Sequence, residues 1–250
     1  MPNPSHSALQ EPPGQGALSP REHRRLAEMM RQAVRDGRLI QPLTALWPEL
    51  TGTDAARIRD LLVLDLVAEG QLVVGAKAAW GSEPWTWILD VMFGARGDDS
   101  LGAALVVPRV AIELAPGKDG RFNARCLRAC LDITWPLFRG ETTRRDHLAA
   151  NGGPTRLIFG EAVSDRRTRL VRGRVEVAGA ARQFMADVEA LRARCQTVHS
   201  RLPCKLLTRR RVSLFVSDAL TEALPIELTP AQADFGALGR LRSDEAGHLP

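Results

Sequence analysis

A chain of 250 residues, 44% hydrophobic and 25% charged, has the composition of an ordinary globular protein and the length for a sizeable core. Its formal charge of +5 comes from 34 basic residues interleaved with 29 acidic ones, and no stretch approaches the ~20 apolar residues that span a bilayer. A membrane partner is therefore not expected. Nor is nucleic acid: the basic clusters at Arg209–Arg211 and around Arg166 lack interleaved aromatics and sit among acids, the pattern of solvated faces. Only Lys77, Lys118 and Lys205 among the basic residues are lysines, so each lysine stands out. Cys126, Cys130, Cys195 and Cys204 form no CxxC pair and no histidine pattern accompanies them, which points to buried thiols in a reduced, cytoplasmic setting.

Residues 1–20 are rich in proline and serine and read as a disordered leader, with Ser19-Pro20 as a helix entry. From Arg21 to Asp36 the apolar positions Leu26, Met29, Met30, Ala33 and Val34 make one helical stripe, stopped by Gly37. A second helix is predicted from Asp54 to Ala68, with Thr53 as its N-cap. These two make a helical N-terminal region, residues 21–70. The pattern then changes to a β-rich region, residues 71–243, with a flexible tail at 244–250. Strands are predicted at Gln71–Lys77, at Ala103–Leu114 (one or two, around Pro108), at Arg156–Gly160, at Ser213–Ser217 and near Leu241. Thr168–Val177 alternates around Gly173 like a hairpin. Ala180–Val198 carries Phe184, Val188, Leu191 and Cys195 at helical spacing, and a helical reading also puts Cys126 and Cys130 one turn apart. Strands joined by irregular loops imply an α+β fold with a mixed or antiparallel sheet.

Four features could carry chemistry. Lys77 ends an apolar strand after Gly75, where a partly buried ammonium can bind a carboxylate and change its pKa readily. Glu113 and Asp132 each interrupt an apolar run, where a carboxylate is costly without a partner. Convergence of the two would suit a hard divalent cation; the alternative is that each pairs with an arginine. The polar segment Asp146–Gly153 precedes a strand, a place where sites are built.

The order of these segments resembles the hydratase and decarboxylase branch of the fumarylacetoacetate hydrolase superfamily. The resemblance runs from about Arg24 to Arg242. It is carried by Ile40-Gln41-Pro42-Leu43-Thr44, Val74-Gly75-Ala76-Lys77, Pro108-Arg109-Val110-Ala111-Ile112-Glu113 and Cys130-Leu131-Asp132-Ile133. It continues through Asp146–Asn151, the segment Val216–Ala223 and Ala233-Asp234-Phe235-Gly236. The resemblance implies a helical N-terminal part packed on a β-rich core and a lyase that adds water to a 2-hydroxydienoate or 2-oxo-alkenoate such as 2-keto-4-pentenoate. It implies Lys77 as the active-site lysine, Glu113 and Asp132 as ligands of Mg²⁺ or Mn²⁺, and Asp146, Asn151, Ser217 and Thr221 as substrate-binding residues. It further implies a homo-oligomer or a complex with a related subunit. Two departures stand out. Ala111 occupies a position where the family has an acidic ligand, and Trp80, Trp85 and Trp87 crowd the segment after Lys77, suggesting a flat or apolar substrate or a plugged pocket. The alternatives are a catalytically impaired member serving as a structural or accessory partner, and a divergent biosynthetic enzyme of the same fold.

Overall fold

The computed structural model describes residues 17–78, 85–93, 104–116, 122–164, 168–201, 213–226 and 229–244. Helix α1 (Pro20–Arg35) starts where Ser19 and Glu22 close a capping box, and buries Leu26, Ala27, Met30 and Ala33. A single turn, α2 (Leu43–Leu46), leads to α3 (Gly52–Ala68). The cap of α3 is Thr51, two residues before the expected Thr53. Asp54 decides this, because its carboxylate must lie three residues past the cap to reach back to it.

Asp54 also corrects the predicted leader. Its side chain accepts from the amides of Ala17 (3.0 Å) and Leu18 (3.3 Å) and from Nε2 of His23 (2.7 Å). Leu18 is buried. Residues 17–20 are thus strapped onto α3 and belong to the fold; residues 1–16 of the predicted leader lie outside the described residues. Burial would push the Asp54 carboxyl up, but hydrogen bonds from Thr51, His23 and Leu18 outweigh it and hold the group at about 2. A depressed carboxylate contributes stability that is present above the ordinary carboxylate range and lost as pH falls through the folded value. Urea denaturation should therefore show Asp54→Asn lacking about 2 kcal/mol of the stability that the wild type loses between about pH 5 and pH 2.

The strands are β1 (Val73–Ala78), β2 (Trp85–Leu89), β3 (Ala104–Pro116), β4 (Phe122–Thr134), β5 (Thr155–Phe159), β6 (Leu170–Val177), β7 (Ala180–Asp187), β8 (Ser213–Val216), β9 (Leu224–Ile226), β10 (Gln232–Asp234) and β11 (Arg240–Arg242). The other described α-helices are α4 (Arg144–Ala149) and α5 (Val188–Arg201). A seven-stranded mixed sheet runs β2-β1-β8-β3-β4-β5, with β9 also on β3; β1–β8 is its parallel pair. A four-stranded antiparallel sheet runs β11-β10-β6-β7. The two sheets share one apolar core, while α1, α2, α3 and α4 form a second around Leu26, Met30, Leu43 and Ile58.

Several local expectations change for physical reasons. Pro108 does not divide β3, because that edge of β3 pairs with β9 up to Val106 and with β8 from Ala111. The missing amide of Pro108 falls in the gap between those partners, where its carbonyl accepts from Leu220 (3.1 Å). Gly173 lies mid-strand, not at a turn. A Cβ there would come within 2.2 Å of the Asp234 carbonyl and 2.3 Å of the Phe184 ring, and the hairpin turn is Ala178-Gly179. Residues 180–187 are strand, not helix. Phe184, Ala186 and Val188 are buried while Met185 and Asp187 are exposed, a period of two. Positions i and i+4 share a face in both a strand and a helix, so Phe184 and Val188 could not separate the two readings. Cys126 and Cys130 lie on β4, not on a helix; both are buried free thiols, as is Cys195, and Cys204 lies outside the described residues. The Arg209–Arg211 and Arg166 clusters, Lys118 and Lys205 lie outside them too.

Gly75 sets how close β8 comes to β1. A Cβ on Gly75 would sit 2.1 Å from the Leu214 carbonyl oxygen. Gly75→Ala is expected to cost about 2–3 kcal/mol in chemical denaturation, by forcing the two parallel strands apart next to Lys77.

Candidate active site

One face of the large sheet and the α4 segment enclose a cavity of about 390 Å³. That size suits a small organic ligand. Its floor is built from adjacent strands. Lys77 on β1 lies beside Thr86 on β2 and Val216 on β8; Asp132 on β4 lies opposite Val107 on β3; Arg109 is two residues further along β3. Alternation carries all three charged side chains to the same face. Lys77 Nζ donates to Asp132 Oδ1 (3.2 Å) and Oδ2 (3.1 Å), and Arg109 Nε donates to Asp132 Oδ2 (2.6 Å). Thr134 Oγ1 adds a bond to Oδ1 (3.2 Å). The side chains of Lys77 and Asp132 are 7% and 1% exposed, so the ion pair is largely shielded from bulk water.

The electrostatics follow. Burial pushes the Lys77 ammonium down from the ordinary lysine value; Asp132 opposes this, while the Arg109 charge adds to it. Burial would push the Asp132 carboxyl up, yet Lys77 and Arg109 together hold it below the ordinary value. The floor is thus a carboxylate fixed between two cations, one of which gives up its proton more easily than a surface lysine.

The walls come from three segments. Helix α4 contributes Arg144, His147 and Leu148. Gly152 follows it, close enough that a Cβ would meet Thr86 at 3.3 Å and Lys77 Nζ at 3.7 Å. The β8–β9 connection contributes Ala219, Thr221, Glu222 and Ala223, and β3 contributes Leu105 and Val107. His147 Nε2 lies 2.8 Å from Thr142 Oγ1, and burial pushes its imidazole pKa down.

Of the residues expected at the site, the structure brings Lys77, Asp132 and Thr221 to the cavity and places the rest elsewhere. Glu113 is opposite Cys126, six residues along β3 from the partner of Asp132, or about 20 Å at ~3.3 Å per residue. Its carboxylate meets Arg128 (3.3 Å), Arg125 (3.5 Å) and the Cys126 thiol (3.2 Å). Glu113 and Asp132 therefore do not share a coordination sphere, and each pairs with arginine instead. Asp146 is fully buried away from the cavity. It closes the capping box of α4 with Thr143 and accepts from the Thr44 amide (2.9 Å) and hydroxyl (2.7 Å), tying α4 to α2. Asn151 accepts from the Trp87 amide (2.6 Å) and donates to its carbonyl (3.0 Å), which fixes the turn that presents Gly152. The Ser217 hydroxyl accepts from the Val110 amide (3.1 Å) and donates to the Asp218 carbonyl (2.8 Å), closing β8 onto β3. Trp87 faces α3, donating to Asp60 (3.2 Å) beneath Arg59, so it does not plug the cavity. Trp80 and the Trp85 side chain lie outside what is described.

Arg109 is the site residue that sequence reasoning passed over. The signal was present: a guanidinium in an apolar strand needs a partner as much as Glu113 or Asp132 does.

These donors do not fit a resident divalent ion. Among the described residues no three acidic, histidine or cysteine side chains cluster. Ala111 offers no ligand, the Asp132 oxygens are occupied by two cations and a hydroxyl, and burial pushes the Cys130 thiol up, away from the thiolate.

No family model matches this chain, and no curated protein does. Solved structures do. The 4-oxalocrotonate decarboxylase from Pseudomonas putida G7, complexed with magnesium and adipate, superposes with a TM-score of 0.74 at 16% identity, over 91% of this chain and 98% of that one. The same enzyme complexed with calcium and acetate gives a TM-score of 0.70 at 16% identity over the same shares. The α+β architecture expected from the sequence, a helical N-terminal part packed on a β-rich core, is therefore the fold of this protein, and that decarboxylase shares it. At this identity the likeness extends to fold alone. Among the described residues no helix is long and apolar enough to cross a membrane.

Proposed function

We propose that the protein is a lyase of the hydratase or decarboxylase type acting on a small 2-oxo or 2-hydroxydienoate acid. One observation carries this reading: a buried lysine, held by a carboxylate, forms the floor of a cavity of small-ligand size in a fold shared with a 4-oxalocrotonate decarboxylase. In the hydratase form, a dienol such as 2-hydroxypenta-2,4-dienoate loses its 2-hydroxyl proton and gains one at C5, giving the conjugated 2-oxo-alkenoate. Water then adds its hydroxyl at C4 and its proton at C3, with no change of oxidation state overall. Lys77, desolvated and beside Asp132, is the group that carries the proton, and Leu105, Val107, Leu148 and Ala223 pack against the apolar tail.

Both structural neighbours are complexed with a divalent metal. The Mg²⁺ or Mn²⁺ that the sequence resemblance implies finds no fitting ligand set among the described residues. The same deficit favours the second reading, an accessory partner of a related subunit. Cytoplasmic location and homo-oligomerisation belong to the proposal as well.

Loss of the dienol absorbance on mixing 2-hydroxypenta-2,4-dienoate with the full chain, in excess Mg²⁺ and separately in excess EDTA, tests the reading. Turnover in either condition supports a lyase. No turnover of this dienol or of 2-oxo-alkenoates in either condition rejects the lyase and leaves the accessory role.

A further inference from the structure

Arg109 is held more firmly than an arginine in a structural ion pair requires. Nε is bound to Asp132, and Nη1 donates to two main-chain carbonyls, Ser217 O (2.7 Å) and Ala78 O (3.3 Å), from two different strand ends. The side chain is 12% exposed. The remaining nitrogen, Nη2, meets no hydrogen-bond partner among the described residues, and Arg109 lines the cavity. Lys77 Nζ faces the same space from the other side of Asp132. A guanidinium anchored through Nε and Nη1 has lost its rotamer freedom before any ligand arrives, so its last donor is presented at little further entropic cost. One carboxylate between two cations leaves the floor short of negative charge.

We infer that Arg109, with Lys77, is the anion anchor of this cavity. Its Nη2, with Lys77 Nζ as a second donor, takes the carboxylate of an oxo acid directly, so that anion binding needs no divalent ion. The inference rests on the proposed 2-oxo-acid reading and deepens it. It accounts for the donor set in one step: Ala111 is tolerated, and Glu113 is free to pair with Arg128, because the negative end of the ligand is met by fixed protein cations instead of a chelated metal. Arg144, at the cavity wall, adds a long-range attraction for anions but is exposed and therefore screened.

Calorimetric titration of the full chain with 2-oxopentanoate, in excess EDTA and in excess Mg²⁺, tests this. The expected result is equal affinity in the two conditions, weakened roughly ten- to hundredfold in Arg109→Gln, the loss of a charge-assisted hydrogen bond. Where circular dichroism shows that Arg109→Gln does not fold, Arg109→Lys carries the same expectation. It keeps the buried charge, but a single ammonium cannot hold Asp132 and both carbonyls and still offer a donor to the cavity. Binding only with Mg²⁺, binding in neither condition, or affinity unchanged in the Arg109 variants overturns the inference. The failures are separable. Metal-free anion binding without turnover of 2-hydroxypenta-2,4-dienoate or of 2-oxo-alkenoates removes the lyase and keeps the anchor. Mg²⁺-dependent binding with turnover removes the anchor and keeps the lyase.

Discussion

Replacing Asp132 by alanine is expected to lower the unfolding free energy by about 3–5 kcal/mol. The carboxylate is 1% exposed and lies between Lys77 and Arg109. Removing it leaves two like charges facing each other with little water to screen them, which costs far more than the ion pair gains over a well-packed apolar core. Lys77 can relieve part of the penalty by losing its proton, since burial already drives its pKa down; Arg109 cannot. Asp132→Asn should therefore cost less than alanine, because the amide oxygen still accepts from Arg109, yet more than a surface substitution. In a double-mutant cycle, Lys77→Met combined with Asp132→Ala should cost less than the two single changes added together. The pH dependence has a defined sign. Asp132 is held below its ordinary value, so its contribution is present above the ordinary carboxylate range and lost as pH falls. Urea denaturation checks all of this, and a loss below about 1 kcal/mol for alanine would place Asp132 among solvent-screened pairs.

Much of the fold could be read from the chain because local chemistry and global packing agree there. Ser19 and Pro20 announce α1, the apolar run of β1 marks a strand buried on both faces, and Arg156–Gly160 reads as β5 for the same reason. Two of the departures share one cause: a partner elsewhere in the fold decided the outcome. Pro108 sits in an unbroken strand because two other strands leave a gap beside it. Gly173 sits mid-strand because Phe184 and the β10 backbone crowd it. The candidate site divides in the same way. Lys77 and Asp132 each looked costly to bury, and they meet. Asp146, Asn151 and Ser217 looked like ligand contacts because polar residues near strand mouths often are. Their hydrogen bonds instead go to Thr44, Trp87 and Val110, which hold α4, the Gly152 turn and the end of β8 in place. They are positioning residues for the walls. A one-dimensional pattern gives the price of burying a polar group, but not the identity of its partner.

Lys77→Arg is the sharper test of chemistry than any deletion. Lys77→Met should reduce kcat by about 10³-fold or more, the loss of a positioned acid–base group, but it also breaks the ion pair and so mixes activity with stability. Arginine keeps the positive charge beside Asp132 and an anion-binding donor in the cavity. What it cannot do is give up a proton, because guanidinium stays protonated throughout the working range. The expected outcome is a split: KM for the 2-oxo acid within a few-fold of wild type, kcat lowered by about 10²–10⁴-fold. The pH profile distinguishes this from mere misfit. Burial lowers the Lys77 pKa, so if the neutral amine takes the substrate proton, wild-type kcat should rise with pH along a limb centred below the ordinary lysine value. Lys77→Arg should lose that limb, leaving its small residual rate flat through the same interval. A substitution that only distorted the cavity would raise KM and keep the limb, and would move the proton-carrying role to another group; His147, half-buried at the wall with its own lowered pKa, would then be the residue to substitute next.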